Sequence, residues 1–301
     1  MTKQIAVVAI LLLVWGSACR APVKVSDGFV LVGKGTFTMG ENGGKWNPPH
    51  TVSLRAFYID KYLVTVGEWR TFIKDTKLSY PWQWHIPGKD YTFSDVIWND
   101  KCPAQELTWY YAVAYCNWLS AKQGLEPAYK IKGDIDALNF TGGGYMMPGK
   151  TEPIVTWNKN ANGYRLPTDA EWEWAAIGGP ESTGTLYGGS NDPNVTGKYR
   201  QNRSYPIAQM KPNELGLYDM AGDVQEWCWD WFGDPSDMNQ NNPSVDRLDQ
   251  VKSFDGMIER DTRVVRGNDW EREKYPLPAE RDCYPPGSTY WIGIRLVRNA
   301  Q

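Results

Sequence analysis

Cysteine and histidine are the side chains of this sequence best suited to redox or metal chemistry, and both are scarce. The 301-residue chain has five cysteines and two histidines, His50 and His85. No two cysteines are spaced as C-x-x-C, so the pattern does not predict a zinc site. Cys116 and Cys228 lie among apolar and aromatic residues, where we expect them to pack as small hydrophobic side chains.

Residues 282–291, DCYPPGSTYW, are better suited to binding than to catalysis. The segment has two prolines, a glycine and three aromatic rings, and it follows neither a helical nor a strand period. Tyrosine rings offer broad, stiff contact area with a polar tip, as in antibody combining sites. The alternative is a rigid surface loop in which the rings are incidental.

Overall composition restricts the classes of partner. Lysine and arginine are dispersed and the formal net charge is −3, which argues against binding to the nucleic-acid backbone. The sequence contains 16 Trp and 17 Tyr, so both the core and a binding surface can be aromatic.

The first 20 residues, MTKQIAVVAILLLVWGSACR, have the pattern of a lipoprotein signal peptide. An apolar run too short to span a bilayer precedes the small residues before Cys19. We therefore expect a signal peptide at 1–18, lipid attachment at Cys19, a tether at 19–27 and an exported protein anchored at the outer membrane or cell surface. An ordinary cleaved signal peptide is the alternative.

The elements that must position the binding segment show local signals, within a single domain expected at 28–301. Thr65, Thr108 and Thr168 are predicted N-caps, and the first and third have a glutamate three residues later, as in a capping box. The second helix is expected to stop at Gly124. Alternating apolar residues predict strands in FVLVGKGTFTMG, HTVSLRAFYIDKYLVT, RVVRGNDW and IGIRLV.

Seven runs in collinear order carry a family resemblance: FTMG, HTVSLRAFYIDKYLVT, LTWYYAVAYCNWLS, YRLPTDAEWEWAA, GLYDMAGDVQEW, RVVRG and GIRLV. With them the chain resembles the formylglycine-generating-enzyme (sulfatase-modifying factor) family. The resemblance implies an α+β fold of the C-type-lectin-like type, with small sheets, two main helices and much irregular loop.

Catalytic groups of that family are missing at the matching positions. Where the oxidases carry a cysteine pair, this sequence has Arg272 and Leu277. The related sulfoxide synthases need a histidine-rich iron site, which His50 and His85 do not provide. We therefore expect a protein that is not an enzyme and requires no cofactor, the alternative being an exported enzyme with unidentified catalytic groups.

The family also implies a structural calcium in the run GDVQEW. Its ligands here would be Asp223, the backbone of Val224, and Glu226, because hard oxygen ligands suit Ca²⁺. The alternative is that Glu226 forms a salt bridge with Arg266 or Arg295.

A subset of the family consists of variable proteins whose C-terminal segment is rewritten by a diversity-generating retroelement, and this chain is similar to the surface-displayed variable lipoproteins of spirochaetes. The resemblance implies a variable segment at about 266–298, a monomer, and an extracellular protein or glycan as ligand. The expected contact residues are Asp269, Tyr275, Leu277, Asp282, Cys283, Tyr284, Pro285, Ser288, Thr289, Tyr290 and Trp291.

Overall fold

The computed structural model describes residues 28–44, 47–78, 99–135, 151–199, 201, 203–233, 241–246, 261–271, 277–288 and 290–300. Four helices lie within these ranges: α1 (Val66–Thr76), α2 (Trp109–Lys122), α3 (Asp169–Ala176) and the single turn α4 (Pro193–Thr196). Two of these four, α1 and α2, have three turns or more, so most of the described backbone is strand or irregular.

The predicted helix starts are confirmed. Thr65 and Thr168 each accept a hydrogen bond from the backbone of the glutamate three residues later, and that glutamate bonds back to the cap. The Thr108 side chain accepts a bond from the backbone N–H of Tyr111 at the start of α2. Helix α2 ends at Lys122, two residues before Gly124, because Gln123 already leaves the helical conformation.

The strands form four small sheets within the described part of the chain. In chain order they are β1 (Phe29–Val32), β2 (Gly35–Met39), β3 (His50–Leu54), β4 (Phe57–Asp60), β5 (Tyr129–Lys132), β6 (Ile154–Trp157), β7 (Gln225–Trp231), β8 (Arg263–Arg266), β9 (Asp282–Tyr284), β10 (Ile292–Gly293) and β11 (Val297–Asn299). The antiparallel sheet β1-β4-β11 joins the first and last described strands. The sheet β10-β7-β8-β9 carries residues 282–284, at the start of the predicted binding segment.

Aromatic side chains fill much of the interior. Trp69, Trp109, Trp227 and Trp229 belong to one buried cluster, which packs helices α1 and α2 against β7. A second cluster joins β2, β3 and β4 to α3. Cys116 and Cys228 are fully buried within these clusters, which confirms that they pack as small hydrophobic side chains.

None of the helices in the described ranges is both long and apolar enough to cross a bilayer.

Candidate ligand-binding face

Four rings near the C-terminus form what we call the aromatic face: Trp270, Tyr284, Tyr290 and Trp291. Tyr290 is 46% exposed, and its ring centroid lies 4.8 Å from that of the half-buried Tyr284. Trp291 is also half-buried and lies 4.8 Å from the buried Trp270. In each tilted pair a more exposed ring, Tyr290 or Trp291, packs against a more buried one. The rings therefore present apolar area that does not depend on flexible side chains.

The backbone of the loop that carries Tyr290 is bonded to the body of the domain. The N–H of Trp109, at the start of α2, donates to the carbonyl of Pro286 at 2.9 Å. The N–H of Glu106 donates to the carbonyl of Tyr290 at 3.1 Å, and that of Gln225 donates to the carbonyl of Trp291 at 2.9 Å. Both ends of the loop are therefore fixed.

The turn before β9 is held by Arg266, which is fully buried. Its Nη1 donates to the carbonyls of Pro278 and Glu280 at 2.9 and 3.1 Å, while Nη2 bonds Oε2 of Glu173 at 2.8 Å. Its Nε bonds Asp169, which lies with Glu173 on α3. Burial alone would lower the pKa of Arg266, but these two carboxylates raise it, so the guanidinium stays charged.

Sequence-predicted contact residues divide by exposure. Tyr290 is exposed, whereas Leu277, Asp282, Cys283, Tyr284, Pro285 and Trp291 are half-buried. Asp269 and Ser288 are buried, which corrects their expected place at the surface. Asp269 Oδ1 accepts the N–H of Glu271, and the N–H of Ser288 bonds Pro285, so both residues belong to local turns. Cys19, Tyr275 and Thr289 lie outside the described residues.

The expectation for Cys283 also changes. Side chains alternate along a strand, so on β9 those of Asp282 and Tyr284 lie on one side and that of Cys283 lies on the opposite side. Cys283 packs against the second core cluster, while Tyr284 packs against the first. Because Cys283 packs against that core, a surface contact through its sulfur is not favoured, and burial also raises the pKa of its thiol.

Other thiols are equally poor nucleophiles. Within the described residues Cys102, Cys116, Cys228 and Cys283 form no disulfide. Burial raises the pKa of Cys102 to about 11 and also raises the pKa values of Cys116 and Cys228. Because the thiolate is the reactive form, these upward pKa shifts disfavour nucleophilic chemistry at the four sulfurs.

Glu226 does not fit the calcium site implied by the family. Its Oε1 accepts bonds from Nε and Nη2 of Arg295 at 3.1 and 2.8 Å, and its Oε2 accepts Nε1 of Trp172 at 2.7 Å. Of the two predicted partners, Arg295 is therefore the one that forms the salt bridge. The buried guanidinium supplies the positive charge that an ion would otherwise bring.

Asp223 is buried apart from this pair. Its Oδ1 accepts bonds from the Ser204 hydroxyl and the N–H of Tyr205, and burial raises its pKa well above the ordinary range. Its Oδ2 is buried without a hydrogen-bond partner among the described residues. Across the described ranges no group of three or more histidine, cysteine or acidic side chains is placed to hold a metal.

Sequence reasoning missed two neighbours of the aromatic face. Glu106 has a left-handed backbone (φ 60°), and burial raises its pKa to about 7. Glu271 accepts a bond from Nε1 of the half-buried Trp291 at 3.0 Å. Neither position has a local signal, because each depends on contact with the distant Tyr290–Trp291 loop.

Known proteins resemble this chain over most of its length. The model of the sulfatase-modifying factor enzyme 1-like domain matches residues 16–300. The chain is 34% identical over 250 residues to Chaperone protein LppX of Paenibacillus barcinonensis, covering 73% of this chain and 78% of that one. It is 27% identical over 319 residues to the formylglycine-generating enzyme of Streptomyces coelicolor, covering 95% and 93%.

A solved structure, Treponema denticola variable protein 1, superposes with a TM-score of 0.66 and 27% identity, covering 90% of this chain and 95% of that one. The small sheets, few helices and long irregular segments are consistent with the C-type-lectin-like fold that the sequence implied. The chain therefore belongs to the formylglycine-generating-enzyme (sulfatase-modifying factor) family.

Proposed function

We propose that this protein is a surface-displayed ligand-binding protein whose C-terminal segment, about 266–298, is a variable receptor face. The observation that carries this proposal is the exposed ring of Tyr290, paired with Tyr284 on a loop whose backbone is fixed to the domain. Likeness to Treponema denticola variable protein 1 supports it.

The anchoring bonds suit a segment whose sequence changes. Three of them join carbonyls of the segment to backbone N–H groups outside it: Trp109 to Pro286, Glu106 to Tyr290 and Gln225 to Trp291. Substitution of a side chain leaves a carbonyl in place, so the loop can keep its path while the rings and polar groups on it are exchanged. Rigid presentation also lowers the entropy lost on binding.

Export and lipid anchoring belong to the same proposal. The leader and Cys19 would place the domain outside the cytoplasm, held to a membrane by acyl chains, with an extracellular protein or glycan as its ligand. Diversification by a retroelement predicts that substitutions gather within the segment. Comparing the 3′ ends of the gene among strains tests this, and uniform conservation of the segment would contradict it.

We further propose that the protein does not generate formylglycine. Arg272 and Leu277 stand at the family's cysteine positions, and burial raises the pKa values of all four described thiols. The alternative is an exported oxidase with other catalytic groups. Incubation with a sulfatase peptide and copper should give no aldehyde, whereas turnover would support the alternative.

A second candidate follows from the relative called a chaperone protein. At 34% identity over 73% of this chain, that likeness favours a role in binding another polypeptide. The two candidates differ in the surface that they need, because a receptor depends on the aromatic face. Refolding assays with a non-native client, carried out with wild type and Tyr290→Ala, separate them.

Binding itself is tested on an array of purified extracellular-matrix proteins and glycans. Tyr290→Ala should abolish the signals that the wild type gives, since it removes the most exposed ring of the face. Leu31→Ala is the matched control, because Leu31 is 52% exposed but lies on β1. Equal binding by wild type and Tyr290→Ala would overturn the assignment of the face.

A further inference from the structure

A second concave site lies within the described part of the domain and shares no residue with the aromatic face. It is a cavity of about 220 Å³, lined in part by Arg55, Trp157, Lys159, Arg165 and Glu171. These residues come from the β3–β4 corner, the end of β6 and the start of α3. Sites for drug-sized ligands have volumes of ~300–1,000 Å³, so this one suits a single small ring.

The bottom of the cavity is fixed by buried charges. Arg165 and Glu171 form a two-pronged pair, with N–O distances of 2.6 and 2.7 Å. The guanidinium carbon of Arg165 lies 5.1 Å from the Trp157 ring centroid, and its Nε donates to Asn299 Oδ1 at 3.0 Å. This arrangement is pre-organised, since both charges are already paired and oriented.

One positive charge at the rim remains available. Lys159 Nζ lies 2.6 Å from Asp246 Oδ2, so that cation is compensated. Arg55 is exposed, and its guanidinium has no hydrogen-bond or ion-pair partner among the described residues. Its backbone N–H donates to Asn242 Oδ1 at 2.6 Å, which holds the residue at the rim.

We propose that this cavity binds a monosaccharide ring carrying one carboxylate, such as a hexuronate. The carboxylate pairs with Arg55, whose planar fork matches two carboxylate oxygens. Ring hydroxyls meet the side-chain amide of Asn160 and the Glu171 carboxylate, which together offer donors and acceptors. Trp157 also lines the cavity, and the part of its ring not covered by Arg165 and Lys159 packs against the sugar's C–H groups.

Ligand-observed NMR titration with glucuronate, glucose and acetate tests this assignment. We expect glucuronate to bind with a Kd on the order of millimolar, as a ligand of its size allows. Glucose lacks the carboxylate and acetate lacks the ring, so each should bind at least about tenfold more weakly. Equal affinities for all three, or no glucuronate binding, would overturn the proposal.

Arg55→Ala should reduce glucuronate affinity at least about tenfold, to the level of glucose. Lys34→Ala, another exposed cation, is the control and should leave that affinity unchanged. Because Arg55 is exposed, the melting temperature of the variant should match the wild type and so show that it folds. Unchanged affinity in Arg55→Ala would refute the assignment of the site.

Tyr290→Ala separates this inference from the proposed function. The variant should bind glucuronate as the wild type does, since Tyr290 does not line the cavity. Loss of glucuronate binding in Tyr290→Ala alone would move the sugar to the aromatic face and refute the cavity proposal. Loss of array binding with intact glucuronate binding would support both.

Discussion

Tyr284 and Tyr290 lie with their ring centroids 4.8 Å apart, yet the two residues differ in what they do for the fold. Tyr290 is 46% exposed, whereas Tyr284 is half-buried and packs against the first core cluster. The pair therefore joins the interior of the domain to its surface, and the inner ring supports the outer one.

This difference predicts unequal effects on stability. Tyr290→Ala should change the free energy of unfolding by no more than about 0.5 kcal/mol, while Tyr284→Ala should lower it by about 1–2 kcal/mol. Urea unfolding measures both values. Tyr284→Phe keeps the ring and serves as the control. Equal losses in the two alanine variants would contradict the unequal packing.

Arg266 should be far more costly to remove than an exposed cation. Arg266→Gln leaves Asp169 and Glu173 without a shared partner in a buried site and should lower the free energy of unfolding by about 3–5 kcal/mol. Lys122→Ala breaks the exposed pair with Asp75 and should lower the free energy of unfolding far less. Chemical denaturation compares them, and similar values would show that the buried network is not what holds the turn at Pro278.

Local features of the fold could be predicted from sequence, and distant ones could not. The caps at Thr65, Thr108 and Thr168 depend on residues within one turn of the chain, so their patterns are visible. Arg266 and Asp169 are 97 residues apart, and their pairing depends on how β8 meets α3. The residue types alone did not predict this pair.

Residue type also did not predict which side chains of the candidate site are exposed, because exposure depends on contacts between distant segments. Asp269 and Ser288 are polar and lie in a loop-like run, yet turns of the backbone bury them. The cavity beside Arg55 joins segments from β3, β6, α3 and the C-terminus, and no single motif encodes it. The sequence left Arg266 and Arg295 as candidate salt-bridge partners of Glu226, and in the folded domain Arg295 forms the bridge.

The Glu226–Arg295 pair predicts how the protein responds to metal removal. Because the guanidinium of Arg295 already neutralises the Glu226 carboxylate, EDTA and added Ca²⁺ should both leave the melting temperature unchanged. Glu226→Gln should lower the free energy of unfolding by about 3–5 kcal/mol, since it leaves a buried guanidinium uncompensated. A melting temperature that falls in EDTA and recovers with Ca²⁺ would show that an ion is part of the fold.

The titration of Asp230 should lower the free energy of unfolding as the pH rises from about 4 to 7. Its two oxygens accept the backbone N–H groups of Asp169 and Val245, and burial raises its pKa from 3.8 to about 7. Between about pH 4 and 7 the folded state keeps this proton and the unfolded state loses it. The free energy of unfolding should therefore decrease by up to about 1.4 kcal/mol per pH unit from this group.

Asp230→Asn isolates that dependence, because an amide does not titrate. The variant should be less stable throughout, since its amide nitrogen cannot accept the second backbone N–H. Its decline between pH 4 and 7 should nevertheless be shallower than that of the wild type, as measured by urea unfolding at several pH values. Parallel curves for the two proteins would mean that Asp230 is already ionised in the folded state, and that its two backbone donors outweigh the effect of burial.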